Sequence, residues 1–346
     1  MHVKTLTDKR IVLIGGAGFI GHNLALTLAR LGCHVEIIDS LQVNNLLSFA
    51  SVDRSLHNRE LYLHIINERL ELLRLAGIPL HTQDARDYHA LCRILNEIQP
   101  DVIVHLAAVA HANLSNKDPH ATFDHSLRTL ENALDNARSK ALSVQRFVFF
   151  SSSMVYGNFQ ADGVTEDTRC EPLGVYGALK LAGEHLVKAY HQVFGMPYTI
   201  IRPSALYGPR CVSRRVGQMF IENALAGAEI VVHGDGADRL DFTYVDDLIE
   251  GVRLVLESDA AVNQTFNLTC GQGRSLAELA EILRGHFPDV RLRYAARDKL
   301  MPQRGTLSIA KARTLLGYRP QFPLERGMTR YIEWYKELTG AACAVG

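Results

Sequence analysis

The sequence IVLIGGAGFIG at residues 11–21 joins an apolar run to a glycine cluster, and a helical pattern follows at once. This pattern is typical of a parallel strand that turns tightly into a helix whose amino end faces a pyrophosphate. Glycine lets the backbone approach two phosphates closely, while free N–H groups and the helix dipole supply a positive field. We therefore expect the turn to bind a dinucleotide through Gly15, Gly18, Phe19, Ile20 and Gly21.

A second apolar run, residues 35–38, ends in Asp39, eighteen residues after Gly21. An acid at this distance accepts hydrogen bonds from both ribose hydroxyls of an adenosine. The same acid repels a 2′-phosphate, and no arginine follows it directly. The sequence therefore predicts NAD rather than NADP as the cofactor.

Composition argues against several classes of protein. The 346 residues are enough for one large domain or two modest ones with a real core. Lys plus Arg and Asp plus Glu both total 37, and a net charge of zero does not indicate a nucleic-acid groove or a membrane surface. Because no apolar leader or membrane-length stretch is present, we expect a soluble cytoplasmic protein.

The six cysteines and fifteen histidines are dispersed along the chain. No C-x-x-C spacing and no paired histidine spacing occurs among them, so neither a disulfide framework nor a metal site is expected. We interpret the cysteines as reduced residues of a cytosolic protein.

Short apolar runs alternate with helical patterns along most of the chain. The expected strands lie near residues 11–14, 35–38, 78–82, 102–106, 146–151, 198–202 and 264–268, and the expected helices near residues 19–31, 56–76, 87–98, 121–140 and 175–194. Such alternation with near-continuous apolar strands predicts an α/β fold, a Rossmann-like doubly wound parallel sheet covered on both faces. A smaller α/β carboxyl-terminal lobe is expected to bind substrate.

We place the domain boundaries where the pattern changes. The predicted NAD-binding domain comprises residues 1–202 and 238–272, and the predicted nucleotide-sugar-binding lobe comprises residues 203–237 and 273–346. Residues 40–77 lengthen the link between the second and third strands. Their helical part is expected to pack on the sheet edge rather than to contact the cofactor.

Ligands of a doubly wound sheet gather beyond the carboxyl ends of its strands. After the third strand, Asp84 and Ala85 are placed to hold the adenine edge, while Asp87 suits an N-cap for the next helix. Leu106, Ala107 and Ala108 close the fourth strand with side chains that let the backbone run beneath the cofactor.

Tyr176 and Lys180 stand four residues apart at the start of a helix and so share one face. An ammonium beside a phenol favours the phenolate and lowers the pKa of the tyrosine. Such a phenolate can remove a proton from a sugar hydroxyl while hydride leaves for a nicotinamide. The lysine is also expected to hold the nicotinamide ribose, and a serine from the cluster 151–153 to steady the reacting oxygen.

This order of motifs resembles the extended short-chain dehydrogenase/reductase family, in its nucleotide-sugar epimerase/dehydratase branch. The resemblance covers nearly the whole chain. It is carried by GGAGFIG at 15–21, HLAA at 105–108, SSSMVYG at 151–157, Tyr176 with Lys180, Arg202-Pro203, YGP at 207–209, GDG at 234–236, DFTYVDD at 241–247 and LGYRP at 316–320.

The resemblance implies a tightly bound NAD and a nucleotide-diphosphate sugar as substrate. By the family pattern Ser152 is the catalytic serine beside Tyr176 and Lys180, which also contact the cofactor with Ser151 and Arg202. Ser152 is expected to contact the sugar together with the two residues that follow it.

Those two residues, Ser153 and Met154, bear on the reaction. Sugar 4,6-dehydratases of the family carry Asp-Glu there, and methionine cannot shuttle a proton. A 4-epimerase needs only the tyrosine, lysine, serine and cofactor. We therefore expect a UDP-hexose or UDP-hexuronate 4-epimerase that acts through a transient 4-keto sugar. A reductase, or an epimerase acting at another carbon of a GDP-, CDP- or dTDP-sugar, is the alternative.

Three positions depart from the family pattern, because Ala205, Ser126 and Leu240 replace the usual Asn, Asn and Arg. We expect Arg239, one position earlier in a shifted loop, to bind the diphosphate with help from Arg304, since a guanidinium pairs with phosphate in bidentate fashion.

Arg210, with Arg214 and Arg215 close behind it, either faces an anionic sugar such as a uronate or is a solvated surface charge. The helices near 121–140 and 175–194 are expected to pair across a twofold axis in a homodimer, as in relatives.

Overall fold

The glycine-rich turn is present in the computed structural model, which describes residues 5–50, 58–110, 112–160, 163–297 and 301–343. Strand β1 spans Arg10–Ile14 and helix α1 spans Phe19–Arg30. Gly15 has φ +80°, and a Cβ there would lie 2.6 Å from the backbone nitrogen of Ala107. A Cβ on Gly21 would lie 2.4 Å from the carbonyl oxygen of Gly16. Only glycine fits at these two positions, because backbone approaches backbone there.

Six further strands join β1 in one sheet. They are β2 (His34–Asp39), β3 (Leu80–Thr82), β4 (Val102–His105), β5 (Arg146–Phe150), β6 (Tyr198–Arg202) and β11 (Gln264–Asn267). The strand order is β11-β6-β5-β4-β1-β2-β3, and every pair is parallel. The predicted strands and the doubly wound sheet are confirmed. The order reverses between β1 and β4, so a crevice opens beyond the carboxyl ends of these two strands.

Both faces of the sheet are covered, because alternate residues of β1 enter different cores. Ile11 and Leu13 pack in the core with α1 and with α10 (Val245–Glu257). Val12 and Ile14 pack in the opposite core with helices α4 (Tyr88–Ile98), α7 (Thr129–Ala137) and α8 (Gly174–Phe194). This burial on both sides explains why the strands are almost entirely apolar.

The helix predicted over 121–140 is divided. It consists of α6 (Pro119–Phe123), a π-helical turn at Asp124–Arg128, and α7, and it follows the short helix α5 (Ala112–Lys117). The extra residue of a π turn changes which side chains face the sheet. The link after β2 contains α2 (Leu46–Ala50) and α3 (Arg59–Leu75).

The remaining elements form small sheets with helices around them. They are β7 (Leu206–Tyr207), α9 (Val216–Leu225), β8 (Ile230–His233), β9 (Arg239–Asp241), β10 (Thr243–Tyr244), β12 (Gly273–Ser275), α11 (Leu276–His286), β13 (Leu292–Ala295), α12 (Ala310–Leu316) and α13 (Leu324–Cys343). Strands β7 and β10 pair in parallel, as do β8 and β13, whereas β9 and β12 are antiparallel. Within the described ranges, no helix is both long and apolar enough to cross a membrane.

Candidate active site

A cavity opens in the crevice between β1 and β4. It is lined by most of the residues predicted to contact the cofactor, namely Gly15, Gly18, Phe19, Ile20, Gly21, Asp39, Asp84, Ala85, Leu106, Ala107 and Ala108. Leu206, Ser213 and Arg215 contribute from the segment after β6. The topology brings these distant residues together because all of them follow the carboxyl ends of strands or approach those ends.

Asp39 is held in the cavity by backbone groups. Its two carboxylate oxygens accept hydrogen bonds from the N–H groups of Ala17, at 2.9 Å, and Leu41, at 2.8 Å. Burial raises the pKa of Asp39, and these two hydrogen bonds together with the charge of Arg69 oppose that rise. Each oxygen retains acceptor capacity, so the carboxylate can bind ribose hydroxyls.

Asp84 and Asp87, which both follow β3, have different roles: the first lines the cavity and the second caps a helix. Asp87 caps α4 by accepting a hydrogen bond from the N–H of Ala90 at 3.0 Å, which confirms the predicted cap. Asp84 lines the cavity and pairs with Arg86, whose Nη2 lies 2.6 Å from Oδ2. Burial alone would raise the pKa of Asp84, but the hydrogen bonds from Arg86 lower it. Asp84 is therefore an ionised acceptor at the cavity wall.

Tyr176 and Ser152 meet at the carboxyl end of β5. Both side chains are buried, and Ser152 lies close enough to Tyr176 to affect the pKa of the phenol. Burial raises the pKa of Tyr176, while the charge of Arg215 and the side chain of Ser152 lower it. Ser152 Oγ also accepts a hydrogen bond from the N–H of Met154 at 3.2 Å, which fixes the serine at the start of a 3₁₀ turn, Ser153–Tyr156.

Lys180 lies behind this pair rather than against the phenol. Its Nζ donates a hydrogen bond to the carbonyl oxygen of Phe150 at 2.6 Å and lies 5.1 Å from the centre of the Phe149 ring. Burial lowers the pKa of Lys180 to about 8, and Glu184 partly opposes the shift. Arg215 is a cation whose charge lowers the pKa of Tyr176, and the roles expected of Lys180, toward the phenol and toward the nicotinamide ribose, stay predictions.

Ser151 and Arg202 belong to the wall behind the site. Ser151 Oγ donates to Glu184 Oε1 at 2.5 Å, and Arg202 pairs with the same carboxylate at 2.9 and 2.7 Å. A further nitrogen of Arg202 donates to the Tyr156 hydroxyl and to the backbone oxygen of Glu166. These side chains are buried and already have protein partners, so they support the wall of the site, and the cofactor contact expected of Ser151 and Arg202 stays a prediction.

Arg210 and Arg239, which were predicted to contact substrate, both donate hydrogen bonds to other groups of the protein. Arg210 extends over α1 and α3, where its guanidinium contacts His22 at 3.0 Å, and Asn23 and Glu68 at 3.3 Å. Arg239 is exposed on β9 and donates to the backbone oxygen of Gly273 on β12. Neither Arg210 nor Arg239 is among the residues that line the cavity, and the substrate role expected of each stays a prediction.

Arg304 and Arg215 are two positive charges that act on each other. Burial lowers the pKa of Arg304 to about 10, repulsion by Arg215 adds to this effect, and Asp238 opposes it. Arg304 Nε is buried without a hydrogen-bond partner in the part of the chain that the structure describes. Arg215 lines the cavity and donates to the backbone oxygen of Ala110 at 3.2 Å. Two neighbouring guanidinium groups of this kind can bind an anion.

Ser153 and Met154 are buried at the 3₁₀ turn, next to Ser152. Ser153 donates its backbone N–H to the carbonyl oxygen of Pro203 at 2.9 Å. Neither side chain carries a carboxyl group, so these two positions supply no acid or base for the expulsion of water.

Sequence reasoning missed several cavity residues, and two of them, Arg69 and His125, are ionisable. Arg69 comes from α3, a helix that was not expected to contact the cofactor, and the structure places this residue in the cavity wall. His125 lies in the π turn, and burial followed by the charge of Arg86 lowers its pKa. The periodicity of a regular helix gives no signal for a π turn, which explains the second omission.

Comparison with known proteins gives one family. The sequence profile of the NAD dependent epimerase/dehydratase family matches residues 11–269. An uncharacterized UDP-glucose epimerase of Bacillus subtilis, YtcB, is 33% identical over 69% of this chain and 75% of its own length. A dTDP-glucose 4,6-dehydratase of Xanthomonas campestris is 28% identical over 94% of this chain and 92% of its own.

Among solved structures, the UDP-glucuronic acid 4-epimerase of Bacillus cereus, in complex with UDP-glucuronic acid and NAD, is similar to this chain. It superposes with a TM-score of 0.84 at 27% identity, over 95% of this chain and 99% of its own.

Proposed function

The chain belongs to the NAD dependent epimerase/dehydratase family, and from this premise we propose that it is a 4-epimerase of a UDP-hexose or UDP-hexuronate. NAD is its cofactor, and the cavity fits this group: the turn 15–21 offers free N–H groups, and Asp39 presents its carboxylate. When bound, NAD accepts the hydride of a sugar carbon and returns it.

The chain's own residues move the proton and orient the sugar. Tyr176 takes the proton of the C4 hydroxyl as hydride departs and gives it back after the 4-keto sugar has turned over. Ser152, which lies close enough to Tyr176 to lower the pKa of the phenol, steadies the reacting oxygen. Arg215 stabilises the phenolate by its charge, because a nearby cation favours the ionised phenol.

The observation that carries the proposal is a complete Tyr-Ser pair beside two positions without an acid. A 4,6-dehydratase must also expel water, and Ser153 and Met154 provide no carboxyl group for that step. An epimerase needs no such step. This difference favours epimerisation although a dehydratase is among the relatives.

The positive charge of Arg215 and Arg304 supports an anionic substrate. A UDP-sugar presents a diphosphate, and a UDP-hexuronate adds a carboxylate on the sugar ring. Both groups match a guanidinium that has free N–H donors. The similarity to the Bacillus cereus enzyme supports the uronate as one member of the substrate class to be tested.

The test is incubation of the purified protein with UDP-glucose, UDP-N-acetylglucosamine and UDP-glucuronate, followed by separation of the epimers. We expect one of them to interconvert with its C4 epimer, and Tyr176→Phe to lower kcat by about 10²- to 10⁴-fold. Tyr190→Phe, the same change on the same helix, is the control and retains activity.

No interconversion of any of the three would contradict the proposal. Stoichiometric consumption of added NADH with a keto-sugar would instead support a nucleotide-sugar reductase, because an epimerase regenerates its own cofactor. Turnover of a GDP-, CDP- or dTDP-sugar at another carbon would instead support an epimerase of the same family with a different substrate.

A further inference from the structure

Arg69 is a buried cation, and one of its guanidinium nitrogens has no hydrogen-bond partner among the described residues. It is 1% exposed, and its Nε donates to the backbone oxygen of Arg210 at 2.8 Å, with Nη2 donating to the same oxygen. The third nitrogen, Nη1, is buried without a hydrogen-bond partner among the residues that the structure describes. A buried donor without an acceptor is destabilising, so such a group calls for a ligand.

The position of Arg69 indicates which ligand. The residue lines the cavity together with Gly18 and Phe19, at the amino end of α1. Its charge acts on His22, in α1, and on Asp39, at the end of β2. Arg69 therefore shares the cavity wall with the glycine-rich turn and with the acid that is expected to face the adenosine ribose. An ADP moiety has its phosphates between those two points.

We propose that Nη1 of Arg69 binds the pyrophosphate of NAD. The glycine-rich turn supplies N–H groups and a helix dipole, and Arg69 adds a full positive charge from α3. A phosphate oxygen satisfies the orphaned N–H and offsets the cost of burying the guanidinium. A 2′-phosphate is disfavoured as the ligand, since it would also approach the carboxylate of Asp39.

The guanidinium of Arg69 also holds a loop that leads to Arg215. By holding the backbone oxygen of Arg210, it anchors the loop that continues to Arg215 at the start of α9. Cofactor and substrate loop therefore share one anchoring group. The helix that lengthens the link after β2 is thus a functional part of the cofactor site.

The experiment uses truncated ligands to separate a phosphate contact from packing. The purified protein is titrated with ADP and, separately, with adenosine, and the concentration that displaces half of the resident NAD is measured for each. The ratio of the two concentrations isolates the contribution of the phosphates. We expect Arg69→Gln to reduce the preference for ADP over adenosine by about tenfold or more.

Arg69→Lys keeps the positive charge but lacks the paired N–H donors of a guanidinium, so it should reduce the preference for ADP over adenosine less than Arg69→Gln does. It also serves as the second variant if Arg69→Gln does not fold. Arg74→Gln, on the exposed side of the same helix, is the matched control and leaves the preference unchanged. The NAD content of each purified variant is measured in parallel.

Three results would overturn the proposal. Equal weakening of ADP and adenosine would mean that Arg69 acts by packing alone. A selective loss for adenosine 2′-phosphate would place the contact at the ribose. A selective loss for UDP, with the ADP preference intact, would assign Arg69 to the substrate diphosphate.

Discussion

Arg202 and Arg304 are the same residue type, the first buried and the second half-buried, and their partners differ. Arg202 lies in the wall behind β5 and forms a bidentate ion pair with Glu184. Arg304 Nε is buried without a partner in the described part of the chain, and the positive charge of Arg215 acts on this residue. Glu184 raises the pKa of Arg202 against the effect of burial, whereas burial and Arg215 lower the pKa of Arg304.

This comparison separates framework cations from ligand-binding cations. A buried guanidinium whose N–H groups are already satisfied contributes to the architecture and has nothing left for a ligand. One with an unsatisfied N–H is held in an unfavourable state that an anion relieves. By this criterion Arg202 belongs to the framework, and Arg69 and Arg304 belong to the ligand sites.

The largest expected effect concerns the framework. Arg202→Met leaves the carboxylate of Glu184 buried without its cation, and the loss of a buried partner costs about 3–5 kcal/mol. We expect the free energy of unfolding, measured in urea, to fall by that amount. Arg253→Met is the control: its carboxylate partners are Glu250 and Glu257, with side chains 48% and 15% exposed, so its loss should be much smaller. A similar loss in both variants would contradict the distinction.

The next effect concerns function rather than stability. Arg304→Gln removes an unpaired cation, so we expect the free energy of unfolding to stay the same or to rise. The same change should lower kcat/KM for the nucleotide-sugar by about 10- to 100-fold, because charge-assisted hydrogen bonds to phosphate or carboxylate are lost. Arg239→Gln is the control, since that side chain is exposed on β9. A strong effect of Arg239→Gln with none of Arg304→Gln would support the diphosphate role that the sequence assigned to Arg239.

Local chemistry explains which parts of the molecule could be predicted from the sequence. The turn at 15–21, the N-cap at Asp87 and the seven apolar strands depend on neighbours along the chain, and the structure confirms them. The cavity likewise follows from the rule that strand ends of a parallel sheet share one edge.

The directions of the arginine side chains could not be predicted in this way. Arg210 contacts His22, which is 188 residues distant in the sequence, and Arg69 holds a carbonyl oxygen 141 residues away. Such contacts depend on how separate elements pack, and no spacing rule encodes them. Residue type therefore identified the arginines as anion-binding candidates, but only the fold shows which of them retain free N–H groups.

A smaller effect is expected in the pH profile. The charge of Arg215 lowers the pKa of Tyr176, and the base form of the phenol is the active one. Arg215→Gln should therefore raise that pKa and move the ascending limb of the kcat profile to higher pH. The activity lost at neutral pH should be partly regained in alkaline buffer. Arg214→Gln is the control, and an unshifted limb in Arg215→Gln would mean that this cation does not act on the phenol.

The smallest effect is expected at Arg210, whose guanidinium already has protein partners. Its substitution tests whether such a guanidinium can be removed without an effect on substrate binding. Its guanidinium pairs with Glu68 where the side chains are 21% and 31% exposed, so Arg210→Gln should cost only about 0–1 kcal/mol of unfolding free energy. The backbone oxygen that Arg69 holds is unchanged by this substitution, so kcat/KM should change less than about twofold. A tenfold rise in KM would show that a cation with protein partners still reaches the substrate, and the distinction between satisfied and unsatisfied guanidinium groups would no longer identify the ligand-binding arginines.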